Sequence, residues 1–273
     1  MRRMIVVASE SWRRVGASRA TFGFALLFSL LAIGLSYFGL AGQRSAGFQG
    51  FARVTASLLN LVVYLVPLLA LIMGTAEVTA RRQQLAVILA QPVRRHEVLL
   101  GNFLGVAAAL ASALAIGLGG AGLLIALQTD TASLSAYLVL IACSIGLLLS
   151  FLALAYLIGV LLLDRLRAMS AAIIIWFAAV VGYDLVLIGI TAVLRGIPLK
   201  VILLPAILFN PVDISRVLVT LASGRGALFG PAGAVLVGIF GAPLGAGMAV
   251  AALLLEILLP LTLAVWIFRR RDL

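Results

Sequence analysis

TASLSAYLVLIACSIGLLLSFLALAYLIGVLLL, residues Thr131–Leu163, contains no charged side chain. An α-helix needs about 20 apolar residues to cross the hydrocarbon core of a bilayer, and this run exceeds that. Barrel strands are about 10 residues long and alternate in polarity, which this run does not. Outward from it the pattern recurs over Ala20–Gln43, Val54–Ala76, Val98–Thr129, Ala168–Leu194 and Gly226–Phe268. Only Asp184 and Glu256 interrupt these stretches. The sequence therefore predicts an all-α integral membrane protein with six transmembrane helices and amphipathic interfacial helices.

The expected spans are 22–41, 54–75, 103–127, 134–163, 170–194 and 243–268. A cytoplasmic segment covers 76–102 and a periplasmic one 195–242. With 64% hydrophobic and 11% charged residues, against about 25% charged in soluble domains, nothing is left for a second, soluble domain. Residues 1–273 read as one membrane domain.

A net charge of +11 raises the question of nucleic acid, and the placement of the charge answers it. With the N-terminus inside, the inner segments hold Arg2, Arg3, Arg13, Arg14, Arg19, Arg81, Arg82, Arg94, Arg95, Arg165, Arg167, Arg269, Arg270 and Arg271, which is 14 of the 20 Lys and Arg. The outer segments hold the other 6: Arg44, Arg53, Arg195, Lys200, Arg216 and Arg225. This bias follows the positive-inside rule and puts both termini in the cytoplasm. The basic excess is a topology signal and an attraction to anionic membrane lipid, with no nucleic-acid partner. The first apolar run exceeds the 7–15 residues of a signal-peptide core and reads as a retained span.

Residues 2–19 place Ile5, Ala8, Trp12 and Val15 at helical spacing. They suit an amphipathic helix on the inner leaflet with Trp12 at the headgroups; a frayed basic tail is the alternative. In span two, Pro67 cannot donate to the Val63 carbonyl, so a bend is expected near Tyr64. Gly117, Gly119, Gly120 and Gly122 in span three allow close helix packing. In segment 76–102, Leu85, Ile88 and Leu89 share one face of a short helix that must bend or stop near Pro92. With Arg81, Arg82, Arg94 and Arg95 around it, this segment is either a docking element or a membrane-surface loop.

Ile197–Phe209 is apolar apart from Lys200 and is broken by Pro198 and Pro205, which suits a re-entrant or interfacial piece. Asn210-Pro211-Val212-Asp213 then carries an N-cap, a first-turn proline and a first-turn acid. Ile214, Val217, Leu218 and Leu221 follow on one face, and Gly224 is placed to end the helix. Residues 211–223 are expected to lie on the outer membrane face, roofing the bundle or docking an outer partner through Asn210, Pro211, Asp213 and Arg216.

Asp184 and Glu256 sit at membrane depth, where a carboxylate costs at least about 2.5 kcal/mol. Pro260 leaves the Glu256 carbonyl without its helical donor. The pair reads as a gate, a hinge or part of a translocation path, or as polar contacts that fix packing. Catalytic chemistry is not indicated. The one histidine, His96, and the one cysteine, Cys143, cannot form a zinc-type cluster. The five methionines are scattered, no phosphate-binding Gly-rich loop is present, and no metal site or bound cofactor is expected.

The run Leu85–Gly105 (LAVILAQPVRRHEVLLGNFLG), after span two, resembles the corresponding segment of type-2 ABC transporter permeases. Tyr183–Leu187, Leu208–Arg216 and the ending Trp266–Arg271 are similar to the permeases of ABC transporters that mature nitrous oxide reductase. The resemblance implies a non-catalytic permease of the bacterial inner membrane, working as a homodimer. Two cytoplasmic ATPase subunits, which hold the ATP and Mg²⁺, would dock on Arg81, Arg82, Leu85, Ile88, Leu89, Arg94 and Arg95. A periplasmic β-helical subunit and a copper-binding lipoprotein would complete the system. Its task would be supplying copper or a sulfur species to the reductase, or transmitting force alone. Two other readings stand beside this: a type-2 exporter of a lipid, drug or peptide, and a proton-coupled secondary transporter using Asp184 or Glu256.

Overall fold

A computed structural model of the chain describes residues 2–41, 49–88, 95–126, 131–162, 164–193, 205–222 and 231–270. Its helices are α1 (Arg2–Gly16), α2 (Arg19–Ala41), α3 (Gln49–Ile88), α4 (Arg95–Ala126), α5 (Thr131–Leu161), α6 (Arg165–Phe177), α7 (Tyr183–Val193), α8 (Pro211–Ala222) and α9 (Pro231–Arg270). A π-helical turn, Ala178–Gly182, joins α6 to α7. No strand occurs among the described residues. Six helical stretches are long and apolar enough to cross a membrane: α2, α3, α4, α5, the joined α6–α7 and α9. The charge-free runs predict these six, and the fold class is as expected.

α5, the stretch quoted above, is the hub. It touches α3, α4, α6, α8 and α9. A helix apolar on every side belongs in the middle of a bundle, and Tyr137, Leu140, Leu147, Phe151 and Tyr156 of α5 are buried. Tyr156 meets Phe103 of α4 edge to face, with ring centroids 5.3 Å apart. By contrast α2, α6–α7 and α9 lie at the periphery. Leu30, Phe38, Ile174, Leu185 and Leu258 stay exposed on them, as side chains that face lipid or another subunit do. Asp164 starts the fifth span by accepting the Leu166 and Arg167 backbone N–H groups, at 2.7 and 3.3 Å.

Three segments depart from their sequence reading. α3 does not stop after the membrane to be followed by a separate short helix. It runs unbroken through Pro67 to Ile88, so the connector after span two begins as an extension of that span. Arg95–Asn102, expected in that connector, form the first two turns of α4. Beside the proline, the Trp176 indole donates to the Tyr64 carbonyl at 3.0 Å. That carbonyl lies one residue beyond the one Pro67 leaves without a donor, so α6 braces α3 at its weak point.

The leader is helical as expected, but its apolar residues are divided. Val15 is buried while Ile5 and Trp12 are exposed. α1 packs on the start of α4, where Gly101 and Gly105 form a small-residue pair four apart. A Cβ on Gly101 would come 2.7 Å from the Met4 carbonyl oxygen, and one on Gly105 would run into the Ala8 carbonyl and Ser11. Only glycine allows this approach.

α8 is buried on more than the one apolar side that its spacing suggests. Val212, Ile214, Val217, Leu218 and Val219 are buried, and so are Asp213, Ser215 and Thr220. The helix packs against α3, α5 and α9. Burial on all sides, polar positions included, makes it part of the bundle and supports the roofing alternative. The proposed stop at Gly224 lies outside the described residues, as does most of Ile197–Phe209.

Candidate functional site

The approach to α8 is fastened to the π-helical turn. Asn210 Oδ1 accepts the Val212 N–H at 3.1 Å, the N-cap expected of it. Its Nδ2 donates to the Ala179 carbonyl at 2.9 Å, inside the π-helical turn. Such a turn displaces backbone carbonyls from regular helical bonding, and Asn210 supplies one of them with a donor. Tyr183, at the end of the turn, donates its hydroxyl to the Ala206 carbonyl at 2.7 Å.

Asp184 follows Tyr183 and is an ion-pair partner rather than a lone acid. Arg216 Nη1 donates to Asp184 Oδ1 and Oδ2 at 3.1 and 2.9 Å, and to Asp213 Oδ1 at 3.1 Å. Two carboxylates share one guanidinium. Asp213 is the more buried, and its Oδ2 has no partner. Burial pushes Asp213 up to about 6; Arg216 opposes this, and Asp184 adds to the rise. Asn210, Pro211, Asp213 and Arg216 were the residues expected to meet an outer partner. The structure turns their polar groups inward because α8 is buried and those groups require partners there.

Glu256 is separate from this triad. It lines a cavity of about 520 Å³ bounded by α5 at Ser150, Phe151 and Leu154, the π-helical turn at Ala178 and Ala179, residues 208–211, and α9 from Leu255 to Pro260. Its Oε2 is buried and unpartnered. Pro260 lines the same cavity and frees the Glu256 carbonyl. Asp184 and Glu256, read together from sequence as gate candidates, thus occupy different places: one closes an ion triad, the other faces a cavity.

At the end of the bundle where the leader packs, Arg14 Nη2 of α1 meets Glu77 Oε2 of α3 at 2.8 Å. Sequence reading took Arg14 as a topology charge and missed this pair, which links residues 63 apart. Arg81 and Leu85 stand one and two turns beyond Glu77 on α3, with Arg82 and Ile88 on the same extension, and Arg95 begins α4. Leu89 and Arg94 lie outside the described residues. Arg270 lies over the Trp266 ring, 4.1 Å from its centroid, near the end of α9. Among the described residues no three His, Cys, Asp or Glu side chains are grouped to hold a metal ion.

These features define a polytopic helical membrane subunit, with an acid-bearing cavity open at its side and a span prolonged well past the length needed to cross a bilayer. The chain belongs to the ABC-2 family of transporter proteins, whose family model matches residues 5–273. It is 34% identical over 261 residues to a probable ABC transporter permease protein NosY of Stutzerimonas stutzeri, covering 93% of each chain. It is 34% identical over 208 residues to the protein of the same description in Pseudomonas aeruginosa, covering 74% of this chain and 75% of that one.

Proposed function

We propose that this chain is the permease subunit through which a partner ATPase pair drives maturation of the copper–sulfur centre of nitrous oxide reductase. The observation that carries the reading is the end-to-end similarity to NosY permeases, joined to the resemblance of Tyr183–Leu187, Leu208–Arg216 and Trp266–Arg271. The chain works as a homodimer in the bacterial inner membrane, with both termini inside. ATP and Mg²⁺ are held by the two ATPase subunits, which press on the α3 extension and the connection to Arg95. A periplasmic β-helical subunit and a copper-binding lipoprotein act on the outer side.

α3 supports this as a lever. One helix of 40 residues links the inner extension to the Trp176 brace, and it reaches α8 on the outer side. Force applied beyond Glu77 reaches α1 through Arg14 and span five through α6. Among the described residues no three His, Cys, Asp or Glu side chains are grouped to hold a metal ion, and the lone cysteine and scattered methionines make no thiolate or thioether motif for Cu(I) in the sequence. This favours a sulfur species as cargo, or transmission of force alone, over passage of copper. A proton-coupled secondary transporter fits poorly, because Asp184 is held by Arg216 and the family is ABC-2.

Deleting the chain should leave nitrous oxide reductase present but without its complete copper–sulfur centre, read by copper content and optical spectrum. A fully metallated reductase in the deletion strain would exclude the role.

A further inference from the structure

The lever reading assigns no role to the cavity beside Glu256. Its walls are largely apolar, with Phe151, Leu154, Phe209 and Leu259 among them. The neighbouring polar side chains already have partners. Tyr183 donates to the Ala206 carbonyl, Asn210 to the Ala179 carbonyl, and Ser150 to the Gly146 carbonyl. The Glu256 carboxyl is the exception, with Oε2 buried and unpartnered.

The charge around the cavity is lopsided. Asp184 and Asp213 adjoin it through Tyr183 and Pro211, and they share the single cation Arg216. Asp213 and Glu256 both lie within electrostatic reach of the Tyr183 hydroxyl. Arg216 is already shared by Asp184 and Asp213, and Glu256 has no cation of its own among the described residues.

We propose that this cavity binds a lipophilic organic cation, a molecule rich in aromatic or alkyl surface whose delocalised positive charge faces Glu256. The volume of about 520 Å³ falls in the range of small-molecule sites. A low-dielectric wall strengthens the attraction to a carboxylate, and aromatic walls add to it. A hydrated metal ion does not fit, because it needs several oxygen ligands and the cavity offers one carboxylate. An anion gains no such attraction. Entry is sideways from the membrane, where such cations partition: Phe209 is 82% exposed at the rim, and Leu255 and Leu259 are about half exposed. The inference does not depend on any role in reductase maturation.

The full chain, purified with its ATPase partner in lipid nanodiscs, is tested with radiolabelled tetraphenylphosphonium and with its anionic analogue tetraphenylborate. The cation should bind saturably and the anion should neither bind saturably nor compete. E256Q should weaken binding by about tenfold or more. L154W, which fills the cavity and keeps the acid, should abolish binding, and it decides the matter if E256Q does not fold. Equal binding of the two ions, or unchanged affinity in the variants, would overturn the proposal. So would efficient disulfide cross-linking of two copies through Leu259→Cys in a Cys143→Ser background, because a second copy would then cover the opening.

Discussion

Arg216 on α8 holds Asp184 of span five through one nitrogen, Nη1, placed 3.1 Å from Oδ1 and 2.9 Å from Oδ2. The residues are 32 apart in sequence, so the pair is a tertiary clamp. It joins the part of span five just after the π-helical turn to α8, which itself packs on α5 and α9. A π-helical turn is a natural place for a helix to change its winding. The clamp fixes that turn to the roof of the bundle, so movement of span five carries α8 with it.

Removing the cation should cost more than removing one of its acids. R216A leaves Asp213 buried without a counter-ion, and an unsatisfied buried acceptor costs about 1–3 kcal/mol or more when charged. D184N keeps the Arg216–Asp213 contact and should cost less, because Asp184 is the more exposed partner. Thermal unfolding of the detergent-solubilised protein, followed by size-exclusion chromatography, should rank the variants wild type, D184N, R216A from most to least stable. The double variant should be less destabilised than the sum of the two. Strict additivity would show that the clamp carries no energy.

Asp213 gives the bundle an acid-side gain in stability. Its value in the folded chain is about 6, against an ordinary 3.8, because burial disfavours the carboxylate. The folded state therefore binds the proton more tightly than the unfolded state does. Stability contributed by this group falls as pH rises from about 4 through about 6, and returns as pH drops. A difference of that size corresponds to roughly 3 kcal/mol. D213N should remove this dependence, being more stable than wild type at pH 7.5 and closing with it near pH 4. If the gap between the two melting curves is the same at both pH values, Asp213 does not titrate as argued.

The contact between leader and α4 rests on glycine. G105A places a methyl group against the Ala8 carbonyl, which is backbone and cannot rotate away. Overpacking of this kind costs about 1–3 kcal/mol. Gly119, on the same helix, has nothing within 4 Å of its missing Cβ, so G119A should be neutral or stabilising by up to about 1 kcal/mol. Similar melting temperatures for the two variants would mean that α1 is not seated on Gly105.

Spans were legible because lipid removes charge from long runs, and no other solvent leaves that trace on a sequence. The N-cap at Asn210 was legible because its signal is local. The burial of the polar side of α8 was not legible, for a physical reason. Its apolar residues recur at i, i+3, i+4 and i+7, which reads as one wet face, and Asp213 with Arg216 seemed to confirm it. The partners that allow those side chains to be buried, Asp184 and the Ala179 carbonyl, lie on another helix, and a single sequence does not pair residues across 32 positions. The π-helical turn Ala-Ala-Val-Val-Gly has no composition to announce it. Asp184 and Glu256 stand out in the sequence as the only acids in the apolar runs; their separation into a clamp and a cavity needed coordinates.

Docking and coupling at the inner end should be separable by mutation. The proposal that ATPase subunits dock on the α3 extension predicts that L85D combined with L89D abolishes co-purification of the ATPase, since two charges cannot be buried in an apolar contact without partners. Glu77, one turn before Arg81, is bound to Arg14 of the leader instead. Both side chains keep some solvent exposure, so E77Q should change stability by less than about 1 kcal/mol. It should leave the ATPase attached yet loosen the tie between α3 and α1. The readout is ATP hydrolysis by the reconstituted complex beside co-purification: E77Q is expected to lower permease-dependent hydrolysis with the ATPase still bound. Hydrolysis equal to wild type in E77Q would reduce the Arg14–Glu77 pair to a packing contact, and intact co-purification in L85D/L89D would remove the docking site from the α3 extension.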